Sequence, residues 1–178
     1  MLKKILATGM ISAAVATSAI AGNNITDKTI SAEIKHVDIS NVAKGNAIGL
    51  KYSINIGLGE PGEWGLIYVL SYDYASSFTN KYTTGTSKYS DFGIKFGPSY
   101  TFKSMVRVYA GIQADYVDLI NNDDDYDNQG NMILGMAGAE FPLTHRIIID
   151  IEGASGNTSF NGFKYKTTTY SANLGWRF

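Results

Sequence analysis

Phe92-Gly93-Ile94-Lys95-Phe96-Gly97-Pro98-Ser99-Tyr100-Thr101-Phe102 is the stretch that decides the fold class. Its even positions, Phe92, Ile94, Phe96, Pro98, Tyr100 and Phe102, are apolar. Its odd positions include Lys95, Gly97, Ser99 and Thr101. Side chains of a strand point alternately to opposite faces, so this stretch predicts a strand with one apolar and one polar face. Strands of soluble proteins average about five or six residues. A strand that crosses a membrane at a tilt needs roughly 9–11. The length of the alternation therefore selects a membrane strand.

The same pattern recurs on both sides. From Ala47 to Ile56, Ile48, Leu50, Tyr52, Ile54 and Ile56 oppose Lys51, Ser53 and Asn55. From Trp64 to Tyr74, Trp64, Leu66, Tyr68, Leu70, Tyr72 and Tyr74 oppose Ser71 and Asp73. From Val106 to Tyr116, Val106, Val108, Ala110, Ile112, Ala114 and Tyr116 oppose Arg107, Tyr109, Gly111, Gln113 and Asp115. Four further segments alternate less cleanly: Thr29 to Asp38, Asn131 to Phe141, Ile147 to Glu152, and Lys164 to Phe178. In the second of these, Met132, Leu134 and Met136 face inward if Phe141 faces out. In the third, Ile148 falls among the polar set.

The connections are read as alternating in length. Gly57 to Glu63, Lys103 to Met105 and Pro142 to His145 are short, whereas Asp38 to Asn46, Ala75 to Lys88, Ile120 to Gly130 and Ser155 to Gly162 are longer and polar. Short periplasmic turns and long outer loops belong to outer-membrane barrels. The predicted fold is an all-β, eight-stranded antiparallel transmembrane barrel with up-and-down order and both ends in the periplasm. Trp64, Phe102, Phe141, Trp176 and Phe178 would form one aromatic girdle. Tyr72, Tyr74, Tyr89, Tyr116 and Phe163 would form the other.

Composition agrees. The 178 residues suffice for one domain. Cysteine is absent, which removes disulfides, a thiol nucleophile and thiolate metal sites. The net charge of −1 gives no bulk attraction to nucleic acid. Tyrosine and glycine are abundant and proline is rare, which suits long strands with aromatic girdles. The start reads as a secretory signal over residues 1–21. Lys3 and Lys4 precede an apolar run, and Ala19-Ile20-Ala21 offers small residues before Gly22, where the barrel region 22–178 begins. The run is too short and too rich in Ala, Ser and Thr for a membrane anchor.

Several motifs carry a family likeness: Gly49-Leu50-Lys51-Tyr52, Gly65-Leu66-Ile67, Phe92-Gly93-Ile94-Lys95-Phe96-Gly97-Pro98-Ser99-Tyr100, Val108-Tyr109-Ala110-Gly111, Ala137-Gly138-Ala139-Glu140-Phe141 and the terminal Leu174-Gly175-Trp176-Arg177-Phe178. In this order and spacing they resemble the Ail/Lom/OmpX family of small outer-membrane barrels. The resemblance implies a cell-surface protein of the Gram-negative outer membrane that acts in adhesion, host-cell invasion or complement resistance through its loops. The loops themselves show no matching motif. Tyr170, Leu174, Trp176 and Phe178 also resemble the terminal signal read by the barrel assembly machinery.

The inward faces carry Glu33, Lys35, Lys51, Asp73, Lys95, Arg107, Asp115, Glu140, Asp150, Glu152 and Arg177. Eight strands leave a bore that side chains can fill, so mixed charges predict a paired ionic plug and not an ion path. His36 and His145 are the only histidines. A lipid A-modifying barrel enzyme would need a His with a Ser nucleophile at the outer rim. No motif places one, and no catalytic residue or cofactor is expected. Asp123-Asp124-Asp125-Tyr126-Asp127-Asn128 invites a calcium reading. The sixth and twelfth positions of such a loop should be Gly and Glu, and here they are Asn128 and Leu134. A solvated acidic loop is expected instead.

Candidate partner-binding residues are Phe78, Lys81, Tyr82 and Lys88 in one loop, and Asp123, Asp124, Asp125 and Asp127 in another. Expected partners are outer-membrane lipid and lipopolysaccharide, the assembly machinery, and host cell-surface or matrix proteins. The barrel is expected to be monomeric. A lipid-modifying enzyme and a small-solute channel are the alternatives of a different class.

Overall fold

The computed structural model describes residues 25–57, 62–81, 85–121 and 127–178. The signal-peptide expectation for residues 1–21 lies outside these. The described residues form eight strands: β1 (Ile25–Ile39), β2 (Ala43–Gly57), β3 (Glu63–Asn80), β4 (Thr86–Thr101), β5 (Arg107–Asn121), β6 (Asp127–Pro142), β7 (Ile147–Phe160) and β8 (Phe163–Arg177). Each pairs antiparallel with its sequence neighbour, and β1 closes the barrel against β8. Closure leaves no sheet edge to be satisfied by lipid.

Alternation runs as read through the lower barrel. Ile30, Ile34, Ile48, Leu50, Phe96, Ile112, Ile133, Ile151 and Leu174 face outward and are exposed. Ser31, Glu33, Lys51, Ser71, Lys95, Gln113, Glu140, Asp150 and Glu152 are buried inside. Met132, Leu134, Met136 and Ile148 also face inward, as expected for the two less regular strands.

The upper barrel differs from the sequence reading. All four stretches read as long polar loops are mostly strand. β1 continues to Ile39 and β2 starts at Ala43, β3 reaches Asn80 with β4 from Thr86, and β7 runs to Phe160 with β8 from Phe163. β5 likewise ends at Asn121 and β6 starts at Asp127. The period of two persists there, but the polarity of the faces inverts. In β1 the inward series Thr29, Ser31, Glu33, Lys35 continues as Val37 and Ile39, while the outward series turns to His36 and Asp38. In β5 the inward series continues from Asp115 to Val117 and Leu119, with Asp118 facing outward. The lower barrel is apolar outside and polar inside. The upper barrel is the reverse, like a soluble barrel standing in water.

Two aromatics are corrected by this inversion. Phe78, read as an exposed loop residue, is 0% exposed. Tyr89, read as part of a girdle, is also fully buried. Their rings stack at 4.4 Å with an interplanar angle of 5°. A register shift between Ala75 and Phe78 turns Phe78 inward. It joins a cluster that includes Ile39, Leu119, Met132, Leu134 and Phe160.

The closing seam bears on assembly. β1 and β8 pair from Thr29↔Arg177 to Ile39↔Thr167, and the Phe178 N–H donates to the Lys28 carbonyl at 2.9 Å. Tyr170, Leu174, Trp176 and Phe178 all face outward and are exposed. Deleting Phe178 removes one backbone hydrogen bond from a long seam, worth about 0.5–1.5 kcal/mol. The folded barrel should thus lose little, while the exposed terminal face that resembles an assembly signal is broken. Removing Phe178, or Trp176→Asp, is expected to lower outer-membrane levels more than detergent stability. Normal surface levels of both variants would refute this.

Candidate functional site

Two parts of the molecule could carry function: the lumen and the outer hairpins. The lumen is held in layers. At the chain-termini end, Arg107 donates to Glu140 at 2.7 Å, to Asp27 at 2.7 Å and to Thr101 at 3.2 Å. Arg177 stands within 4 Å of both carboxylates. Next, the Lys51 ammonium meets Asp150 and Glu152, and Lys95 meets Glu152, with Glu33 at 4.0 Å. The Tyr109 hydroxyl bridges Asp150 and Glu152 at 2.8 and 3.0 Å. Above these, the Lys35 ammonium sits among Asp73 at 3.0 Å, Asp91 at 2.6 Å and Asp115 at 3.8 Å. The Tyr89 hydroxyl donates to Asp91 at 2.5 Å and so links the ionic layers to the apolar cluster above.

Every strand contributes to this filling, because each inward position faces the same narrow bore. The paired charges follow the sequence expectation. Asp91, which the sequence reading had not named, is added to them. It sits two residues before Gly93 on the inward face of β4, so its alternation could have revealed it.

A bore filled in this way should pass little current. In planar bilayers the purified barrel is expected to show no large steady conductance. A porin-like conductance altered by Lys51→Ala or Asp115→Ala would overturn the plug.

The outer hairpins present polar side chains on a wall of paired strands. Lys81 lies just past β3, with its ammonium 2.6 Å from Asp38 and 3.4 Å from the Ile39 carbonyl. Lys88 faces outward on β4 and is exposed. Tyr82, Asp123, Asp124 and Asp125 lie outside the described residues, as does the side chain of Asp127, which opens β6. The structure thus leaves Lys81 and Lys88 exposed at the outer rim and buries Phe78. Lys44, Lys164 and Lys166, which the sequence reading did not single out, are also exposed there. The signal for them was the inverted alternation: a lysine on the outward phase of a strand marks the part of the barrel beyond lipid.

His36 is exposed on the outer wall, with its Nδ1 2.7 Å from the Asn46 Oδ1. Among the described residues no serine hydroxyl joins that pair. His145 lies in the exposed turn between β6 and β7. Among the described residues no group of three His, Cys, Asp or Glu side chains is placed to hold a metal ion.

A closed eight-stranded barrel with an apolar outer band, aromatic rims and a charged, filled interior defines a class: the small integral proteins of bacterial outer membranes. The model of the outer membrane protein beta-barrel domain matches residues 5–178, and the chain belongs to that family. Its location is the Gram-negative outer membrane. No curated protein matches the chain. Among solved structures, Ail, the attachment invasion locus protein of Yersinia pestis, is similar with a TM-score of 0.61 and 14% identity, over 88% of this chain and 99% of that one. Ail in complex with the heparin analogue sucrose octasulfate matches at 0.58 and 14%, over 85% and 97%. The N-terminal barrel domain of Pseudomonas aeruginosa OprF matches at 0.52 and 14%, over 88% and 100%. At these identities the likeness is one of fold.

Proposed function

We propose that this outer-membrane barrel is a non-enzymatic surface protein whose outer hairpins bind host cell-surface or matrix proteins. The observation that carries this reading is the polarity inversion. The outward wall of the lower barrel is committed to lipid and the bore to its own side chains. On the outer side the upper hairpins present polar groups to solution, and their apolar filling holds them as a firm platform. Binding residues commonly sit at the rim of such a scaffold. Ordered backbone also lowers the entropic cost of association.

Both signs of charge stand at the rim, with Lys81 already paired to Asp38. Lys44, Lys81, Lys88, Lys164 and Lys166 belong to the hairpins of β1 to β4 and to the start of β8. Asp123, Asp124, Asp125 and Asp127 belong to the β5–β6 connection. An acidic segment repels polyanions and selects basic partner surfaces, while the lysines select acidic ones. Tyr82 supplies an aromatic that could bury apolar area against a partner. Ail has been solved in complex with the heparin analogue sucrose octasulfate. Here the acidic segment argues for a protein partner with both signs of charge.

The test is adhesion of intact cells to host cells or matrix proteins, at matched surface expression. Tyr82→Ala with Lys88→Glu should weaken adhesion several-fold without lowering barrel yield. Replacing Asp123, Asp124, Asp125 and Asp127 by Asn should change partner preference and salt dependence. Phe78→Ala should instead lower barrel stability, since its ring is buried against Tyr89. If both rim variants adhere like the parent, or the parent adheres to nothing, the adhesive reading fails.

A further inference from the structure

Asn161 and Gly162 make the turn between β7 and β8. Their φ angles are 48° and 84°, and Phe160 pairs with Phe163 across them. An Asn-Gly pair favours this two-residue hairpin, because both central residues take positive φ. The Asn161 amide also donates to the Asn128 Oδ1 at 3.5 Å, which ties the turn to β6.

The tight turn fixes the residue that follows it. Phe163 is 69% exposed. The sequence reading put it in the outer aromatic girdle, and the structure corrects this. Phe163 holds the inward phase of β8, in line with Tyr165, Thr167 and Thr169, at the end of the hairpin where that phase is no longer enclosed. It lies ~23 Å along the strand from Tyr170, at about 3.3 Å per residue. Lipid around the lower barrel does not cover it.

The surroundings of Phe163 are held by packing and backbone bonds. Tyr165 packs against the apolar cluster, with its ring 6.2 Å from that of Phe160. Val42 packs against the same cluster. The Ser40 N–H donates to the Lys166 carbonyl at 2.8 Å, and the Lys81 N–H donates to the Val42 carbonyl at 2.8 Å. A ring carried on ordered backbone loses little freedom when it binds. The charged residues between Gly153 and Tyr170 are Lys164 and Lys166, both exposed. They lie on β8, the strand of the hairpin that adjoins β1. Asp38 of β1 is already paired to Lys81 at 2.6 Å.

We propose that this hairpin end binds an acidic segment of a protein partner. An apolar side chain of that segment packs on Phe163, and neighbouring carboxylates meet Lys164 and Lys166. An aromatic ring beside polar groups has the composition of an interface centre, and the two lysines select carboxylates. The proposal rests on the adhesive reading and extends it to a hairpin outside both loops that the sequence pointed to.

The test selects a displayed library of short random peptides on the purified barrel in nanodiscs, after depletion on empty nanodiscs. Enriched peptides should combine Asp or Glu with an aromatic or large aliphatic residue. Synthetic copies should bind Phe163→Ser about tenfold or more weakly than the parent, and Phe163→Leu much as the parent. Lys164→Gln with Lys166→Gln should weaken them by a similar factor and flatten their salt dependence. Heat-modified gel mobility should show every variant folded, since these side chains are exposed. Enrichment of basic peptides, or of acidic peptides without an apolar residue, overturns the proposal. So does equal binding by the parent and Phe163→Ser. Adhesion of intact cells separates this proposal from the adhesive reading. If Tyr82→Ala with Lys88→Glu weakens adhesion and Phe163→Ser does not, the hairpin proposal fails alone. If parent cells adhere to nothing, the adhesive reading falls and the peptide selection still decides the hairpin.

Discussion

Lys35→Met should be the most destabilising single substitution in the lumen. The Lys35 ammonium is the shared partner of Asp73, Asp91 and Asp115, and all four side chains are buried. Methionine keeps much of the volume and removes the charge. Three carboxylates are then left close together, away from water and without their cation. Breaking a buried pair in this way costs about 3–5 kcal/mol, because the desolvation of the remaining charge is no longer offset. The value here should fall at the upper end, since one cation serves several anions. Urea titration of the barrel in lipid vesicles, followed by heat-modified gel mobility, measures the loss. Adding Asp91→Asn should restore a large part of it by deleting a charge along with its partner. A loss below about 1 kcal/mol would show that Lys35 does not hold this layer, as expected only of an exposed pair. Failure of Asp91→Asn to rescue would show that the effect is one of packing.

Gly97→Ala is expected to have the next largest effect. Gly97 of β4 and Gly111 of β5 approach each other so closely that neither tolerates a side chain. A Cβ at Gly97 would lie 1.9 Å from the Ala110 carbonyl oxygen and 2.6 Å from the Gly111 Cα. A Cβ at Gly111 would lie 2.1 Å from the Phe96 carbonyl oxygen. Neither residue has a positive φ, so space and not conformation demands glycine. The β4–β5 register runs from Phe96↔Ile112 directly to Ser99↔Tyr109, and Pro98, which has no N–H to donate, falls in the interval. Alanine must push backbone against backbone. Overpacking of this kind costs about 1–3 kcal/mol, and valine should cost more. The same titration measures it. Gly135→Ala is the internal comparison, with no atom nearer than 3.9 Å to the added carbon, and should leave stability unchanged. Equal stability of the Gly97 and Gly135 variants would contradict the close approach.

Much of the lower barrel was legible in the order of residues alone. Alternation from Phe92 to Phe102, and its repeats in the neighbouring strands, specified strand length, the lipid-facing set and the charged interior. Such a pattern needs no knowledge of neighbours, because a strand assigns faces by its own geometry. The strand count followed from the turn-rich intervals, and the expected pairing of inward lysines with carboxylates followed from the narrowness of eight strands. The sequence also marked the terminal aromatic face, since Tyr170, Leu174, Trp176 and Phe178 fall on one phase.

Only the tertiary structure decided where the barrel leaves the membrane. Val37, Ile39, Val117 and Leu119 break the apolar-outside rule that reads well below them. Judged by that rule alone, the stretch around Ile39 reads as a loop, and Val117 and Leu119 fall outside the strand that ends at Tyr116. Their burial depends on strands distant in sequence: Phe78 meets Tyr89, and Phe160 and Met132 fill the same apolar cluster. Which ions pair was equally undetermined, since Lys35 reaches carboxylates on three other strands. The outward-facing glycines Gly135 and Gly153 belong to the same kind of fact. A glycine kept for close backbone approach and a glycine facing open space look identical in a sequence, and only the register of the adjoining strands separates them.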